Sequence, residues 1–268
     1  MTQVAELWRY RGLIGNFASR ELKSKYKHSV LGWAWSLINP AATLAIYTVV
    51  FSTIFRATPP PAHNGMTTYV VYLFIGLVAW NFFSNVVNGS MAALIGAGAL
   101  LKKIYFPPYA PVLGTAASAL VQTSIEFGVL LLVLVGVENV SWSLFLTPLV
   151  LALLLIFASG IGLLFALFNV FYRDISYLVG VVLQLIFYAT PVIWAPQQLL
   201  GHAHGHLAVR VLAINPLYQF VEGFRDVLWT GTVPSASRWG WMILAAAISI
   251  GVGLTVFIRG SRDVSEEL

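Results

Sequence analysis

The sequence predicts an all-α polytopic membrane protein, and three observations carry that prediction. Charged residues make up only 9% of the 268 residues while 59% are hydrophobic, against about 25% charged in an ordinary soluble domain. The charges gather in short blocks between long apolar runs. The ~10-residue segments of alternating polarity that mark a membrane barrel are absent.

Residues 4–27 read as an amphipathic helix. Leu7, Tyr10, Ile14 and Phe17 recur at three- and four-residue spacing, while Arg9, Arg11, Arg20, Lys23, Lys25 and Lys27 sit mostly elsewhere. A basic helix with such a face lies in the membrane interface. Six apolar segments long enough to cross ~30 Å of hydrocarbon follow, near 31–56, 68–97, 109–137, 143–171, 175–195 and 238–259. Pro191 and Pro196 interrupt the fifth and leave its outer boundary open. Segment 196–237 is longer than a simple turn. Within it Leu217, Phe220, Val221, Phe224 and Leu228 form an apolar face, with Glu222 and Asp226 elsewhere, which predicts a re-entrant or interfacial helix in the outer leaflet. "PPPAHNG" at 59–65 is a loop. There is no internal repeat. One domain over 1–268 is expected: a cytoplasmic interface segment at 1–30, a six-span bundle at 31–259 and a cytoplasmic tail at 260–268.

With the N-terminus inside, the inner segments hold eleven Lys and Arg residues and the outer ones four (Arg56, Arg210, Arg225 and Arg238). That bias places both termini in the cytoplasm. In "RELKSKYKHSVLGWAWSLINP" (20–40) the basic run is then the cytoplasmic anchor, and Trp33 and Trp35 sit where the first span begins. No cleavable signal peptide is expected, because the first 30 residues are charged and lack a long apolar core. Cysteine is absent, which excludes disulfides and thiolate metal sites. The net charge of +5 reports loop orientation, and no nucleic-acid partner is expected.

Chemistry-bearing motifs are few. There is no G-x-x-x-x-G-K-[ST] loop to cradle phosphates, nor a catalytic triad or carboxylate pair. The chain is read as a permease and not an enzyme, with no cofactor of its own; ATP-driven transport would need an ATPase on another chain. Two spans carry aromatic stripes. Trp33, Pro40, Leu44, Tyr47 and Phe51 on the first lie within roughly 40° of Trp33, and Tyr177, Gln184, Tyr188 and Pro191 on the fifth within roughly 40° of Tyr177. Such rings suit the CH faces of sugars, and their polar edges bond hydroxyls; helix packing and interfacial belts are the competing reading. Thr115, Ser118, Gln122 and Glu126 form a polar stripe on the third span. An ionisable Glu126 inside a span needs protein or water around it, either as a proton or ion relay or as a structural carboxyl bonded to Gln122. In "GHAHGH" the alternate residues His202, His204 and His206 would share one face of an extended segment, but a Gly/His loop is the preferred reading and no metal is expected. Gly89, Ala93 and Ala97 form a small-residue ridge for close packing. Two inner turns, "LLKKIYFPPYAP" (100–111) and "FYRDIS" (171–176), put charge and rings at the cytoplasmic surface, as anchors or as connections able to transmit a push.

Four stretches, "RELKSKYKHSVLGWAWSLINP", "LLKKIYFPP", "FYRDISYLVGVVLQLIFYATPVIW" and "NPLYQFVEGFRDVLWTG", together resemble the permease subunit of ABC-2 type polysaccharide exporters, which move lipid-linked O-antigens, capsules, teichoic acids and galactan. They cover most of the chain in the family's order. The resemblance implies six spans, an N-terminal interface helix, and short outer helices between spans five and six. It also implies a homodimer in the bacterial cytoplasmic (inner) membrane with two copies of a separate ABC ATPase, which holds ATP and Mg. Carried over, Lys102, Lys103, Tyr105, Phe106 and Pro107 lie at the coupling helix that docks into the ATPase, and Arg173 and Asp174 at a second contact. The family's channel is lined largely by spans one and five, which assigns Trp33, Tyr47, Phe51, Tyr177, Gln184 and Tyr188 to the substrate path. Arg20, Lys23, Lys25 and Lys27 could gather the phosphate or pyrophosphate of the lipid-linked polymer, each basic group near an anionic surface contributing ~1 kcal/mol; anchoring and ATPase contact are the rival use. An ABC-2 exporter of a small molecule and an ion-coupled transporter built on Glu126 are the alternative functions, with a non-transporting scaffold behind them. Arg outnumbers Lys ten to five, a compositional tilt toward a GC-rich, actinobacterial galactan exporter.

Overall fold

Helix follows helix along the chain, and their order sets the layers. The computed structural model describes residues 8–27, 32–54, 58–104, 106–201 and 205–261. The basic segment forms α1 (Arg11–Tyr26). The first apolar segment forms α2 (Trp35–Thr48), entered through a 3-10 turn (Gly32–Ala34) and continued by a π turn (Val49–Ile54). Then come α3 (Tyr69–Gly96), a short α4 (Gly98–Leu101), α5 (Tyr109–Gly136) and α6 (Thr147–Phe171). After α7 (Ile175–Ala189) come three shorter helices, α8 (Gln197–Leu200), α9 (Gly205–Leu212) and α10 (Pro216–Leu228), and then α11 (Ala236–Gly260).

Among the described residues, four stretches are long and apolar enough to cross a membrane: Tyr69–Gly96, Tyr109–Gly136, Trp142–Phe171 and Ala236–Gly260. They match the second, third, fourth and sixth expected segments. The first and fifth segments are represented by shorter apolar helices. For α7 the reason is local. Pro191 disfavours a helical conformation at the residue before it, and Thr190 turns extended (φ −95°, ψ 141°).

Helix α3 is apolar on nearly every side and is accordingly the buried axis of the bundle. It packs on α2, α5, α6, α7 and α10. Helices α6 and α11 run parallel and close together. Ser249 Oγ donates to the Phe157 carbonyl at 2.6 Å, and a Cβ on Gly160 or Gly253 would run into the facing backbone. Backbone-to-backbone approach of this kind needs small residues at the contact.

Helix α1 does more than lie on a surface, because it runs along the N-terminal half of α5. Ala18 is buried, and Gly114 leaves the space that Phe17 occupies, a Cβ there falling 2.5 Å from that of Phe17. The span-three polar stripe is the seat of this helix: Thr115 Oγ1 donates to Glu21 Oε2 at 2.6 Å, and Lys25 Nζ donates to Gln122 Oε1 at 2.5 Å. Leu7 lies outside the described residues.

The opposite end is stitched by loops. Asn139 Nδ2 donates to the carbonyls of Leu228 and Trp229, Ser143 Oγ to that of Val227, and Trp229 Nε1 to that of Pro60. The 59–65 loop is therefore tied to the end of α10. Asn215 caps α10 by accepting from the Leu217 amide at 3.0 Å, with Pro216 in the first turn. All five residues of its expected apolar face are buried. The outer helix thus docks into the protein, against α3, α6 and α11. Burial raises the Asp226 carboxyl above its usual pKa, while its ion pair with Arg238 pulls the other way.

Candidate substrate groove

The break after α7 positions the site. Beyond Ala189 the chain has left the helix, so carbonyls of the next residues lack helical partners. They are met from two other helices. Arg225 on α10 donates from Nη1 to Pro191 O at 2.5 Å and from Nη2 to Val192 O at 2.8 Å. The Tyr69 hydroxyl on α3 donates to Ile193 O, and Asn215 Nδ2 donates to Thr190 Oγ1 at 2.9 Å. Arg225 is only 2% exposed; Glu222 balances its charge at 2.9 Å. Gly76 makes room for the junction, since a Cβ there would stand 2.8 Å from Val192 O and 2.9 Å from Arg225 Nη2.

Held this way, α7 and α2 flank α3 and enclose a groove of about 320 Å³. Tyr47 and Thr43 come from α2, and Gln184, Phe187 and Tyr188 from α7. Helix α3 supplies Trp80, Asn81, Ser84 and Asn88. Trp80 and Phe187 lie 5.3 Å apart between ring centres, as do Phe187 and Tyr188. Asn88 Nδ2 donates to Ser84 O at 3.0 Å. The groove therefore offers flat apolar rings beside neutral amides and hydroxyls that both donate and accept.

Three residues singled out in the sequence for the substrate path, Tyr47, Gln184 and Tyr188, meet in this groove. Phe51 sits one turn outward, 6.1 Å from Tyr47 and stacked on Tyr69 at 5.4 Å. Tyr177 shares the α7 stripe but lies beyond the groove, 81% exposed. The Trp33 backbone belongs to the 3-10 turn before α2, and its side chain lies outside the described residues. Sequence reasoning missed the contribution of α3. The signal was present: Asn81, Ser84 and Asn88 recur at three- and four-residue spacing, a polar stripe within an otherwise apolar span.

The inner turns divide by burial. Lys102, Lys103, Arg173 and Asp174 are exposed. Phe106 and Pro107 are buried, and the Phe106 ring lies 5.5 Å from that of Phe17 on α1. Tyr105 lies outside the described residues. Arg20, Lys23, Lys25 and Lys27 are exposed, Arg20 at the rim of a second cavity of about 300 Å³ with Glu21, Ser24 and Thr115.

Glu126 is separate from the groove. It is buried, accepts from Gln122 Nε2 at 3.4 Å, and borders a third, apolar cavity with Leu37, Leu44, Val70 and Phe74. Because Gln122 also accepts from Lys25, one amide links the Glu126 carboxyl to a cation of α1. That geometry suits a structural carboxyl. Among the described residues no cluster of three His, Cys, Asp or Glu side chains is placed to hold a metal. His202 and His204 lie outside those residues.

Comparison with known proteins gives a consistent family. The model of the ABC-2 type transporter family matches residues 13–229. An O-antigen export system permease protein RfbA of Myxococcus xanthus is 28% identical over 99% of this chain and 98% of its own length. One of Klebsiella pneumoniae is 28% identical over 89% of this chain and 88% of its own. The polysialic acid transport protein KpsM of Escherichia coli is 24% identical, covering 89% of each.

Proposed function

The chain belongs to the ABC-2 type transporter family, and on that premise we propose that it is the permease subunit of an ATP-driven exporter of lipid-linked polysaccharide across the bacterial cytoplasmic membrane. One observation carries the cargo reading. Rings and neutral amides from three different helices converge on a single groove. Rings give weak contact to sugar CH faces, and amides give hydrogen bonds to hydroxyls. Weak contacts repeated along a wall suit a chain that must keep moving better than one tight site does. The names of the relatives, O-antigen export permeases and a polysialic acid transport protein, support the same cargo class.

Energy would come from a separate ABC ATPase, with exposed Lys102, Lys103, Arg173 and Asp174 as its docking points. A second copy of the chain would line the path with its own α2 and α7, giving a homodimer with two ATPase subunits. In this reading α1 and the basic inner turns face the cytoplasm, as the Lys and Arg bias requires. Exposed Arg20, Lys23 and Lys27 would receive the anionic end of the lipid carrier.

Depleting the chain in its native host tests the proposal. Accumulation of a full-length lipid-linked polymer on the cytoplasmic side is the expected result. Unchanged glycan flux would refute it and leave export of a small molecule as the function.

A further inference from the structure

We propose that the polymer exported through this groove is built of uncharged sugar repeats, so that the chain serves neutral glycans and not polymers bearing uronic acid, sialic acid or phosphate in each repeat. This rests on the reading of the groove as the export path.

The argument begins with what the groove can bond. Its polar groups, among them Asn81, Ser84, Asn88 and Gln184, each donate and accept. A sugar hydroxyl does the same, so the two exchange partners freely as a chain slides. An ionised carboxylate or phosphate only accepts and needs donors in excess, best of all a cation. No Lys, Arg, Asp or Glu lines the groove among the described residues.

The rings point the same way. The faces of Tyr47 and Trp80 are the negative side of the aromatic quadrupole. They attract the slightly positive CH groups of a sugar and repel an anion.

The buried cation that holds the end of α7 is already committed. Arg225 is buried, paired with Glu222, bonded to Pro191 O and Val192 O, and stacked over Tyr72. It cannot turn toward the groove without abandoning the end of α7. Pores that conduct anions carry rings of Arg or Lys. A polyanion would bring a fresh unpaired charge into this wall with every repeat, so the desolvation cost would recur at each step. A single phosphate at the lipid end meets that cost once.

The test extends the depletion by one step. The retained lipid-linked polymer is released by mild acid, its terminal phosphate is removed, and it is run on an anion-exchange column at pH 7. Elution in the flow-through, with only neutral sugars on hydrolysis, is the expected result. Retention on the column, with an acidic sugar or phosphate in the repeat, would overturn this inference while leaving polysaccharide export intact. Absence of any accumulated polymer would remove both.

Discussion

The guanidinium carbon of Arg225 lies 3.8 Å above the ring centre of Tyr72. The contact joins the outer helix α10 to the central α3, and the same guanidinium reaches the carbonyls that follow α7. A single buried cation therefore fixes three elements at the outer end of the groove. Its cost of burial is offset by a carboxylate, two carbonyls and a ring face.

Removing that cation strands its partners. Arg225→Met should destabilise the protein by about 3 kcal/mol, since a half-buried carboxylate and two carbonyls lose their donor. Arg225→Lys should recover little, because an ammonium lacks the planar fork that serves two carbonyls at once. Thermal unfolding in detergent checks both, with Tm falling by roughly 5–10 °C.

Two glycines near the groove should behave oppositely. Gly76→Ala places a methyl group 2.8 Å from Val192 O and should cost about 1–3 kcal/mol through overpacking. Gly180→Ala, on the groove wall with nothing within 4 Å of its Cβ, should fold as well as the parent. Equal stability of the two variants would show that the α7 junction is not tightly held.

Groove variants should separate transport from assembly. Tyr47→Ala and Tyr188→Ala each remove a ring from the wall and should slow export several-fold, leaving membrane insertion and subunit association unchanged. Asn81→Ala should act in the same direction more weakly. Export rate per inserted complex is the measurement. Normal rates for Tyr47→Ala and Tyr188→Ala would place the cargo elsewhere.

The seat of α1 gives a fourth expectation. Lys25→Met removes the donor to Gln122, and Thr115→Val the donor to Glu21. Together they should loosen α1 from α5, by about 1 kcal/mol for each hydrogen bond, and speed limited proteolysis between residues 11 and 26. The native chain holds no cysteine, so introduced thiols can report the same release by their labelling rate.

Periodicity and charge made much of this legible. The long spans appear within a few residues of their expected ends because their apolar runs are uninterrupted and bounded by polar groups. The apolar face of α10 was readable from spacing alone, although its burial was not. Amphipathicity says which side is apolar, and only packing says whether lipid or protein covers it. Phe106 shows the same limit, since a ring in an inner turn fits an outward or an inward reading until Phe17 is seen beside it. The role of Arg225 was hidden for a different reason. Its acceptors at Pro191 and Val192 are backbone atoms, which carry no side-chain signature in a sequence.

Fifteen residues make α7 about 22 Å long, while its neighbours α3 and α5 reach about 42 Å. Beside α7 the protein therefore presents a hydrophobic wall thinner than the ~30 Å hydrocarbon layer. Lipid next to the groove must draw its headgroups inward to meet such a wall. A hydrophilic polymer would then cross where the insulating layer is at its narrowest, and bilayer thickness itself becomes a determinant of how fast it passes.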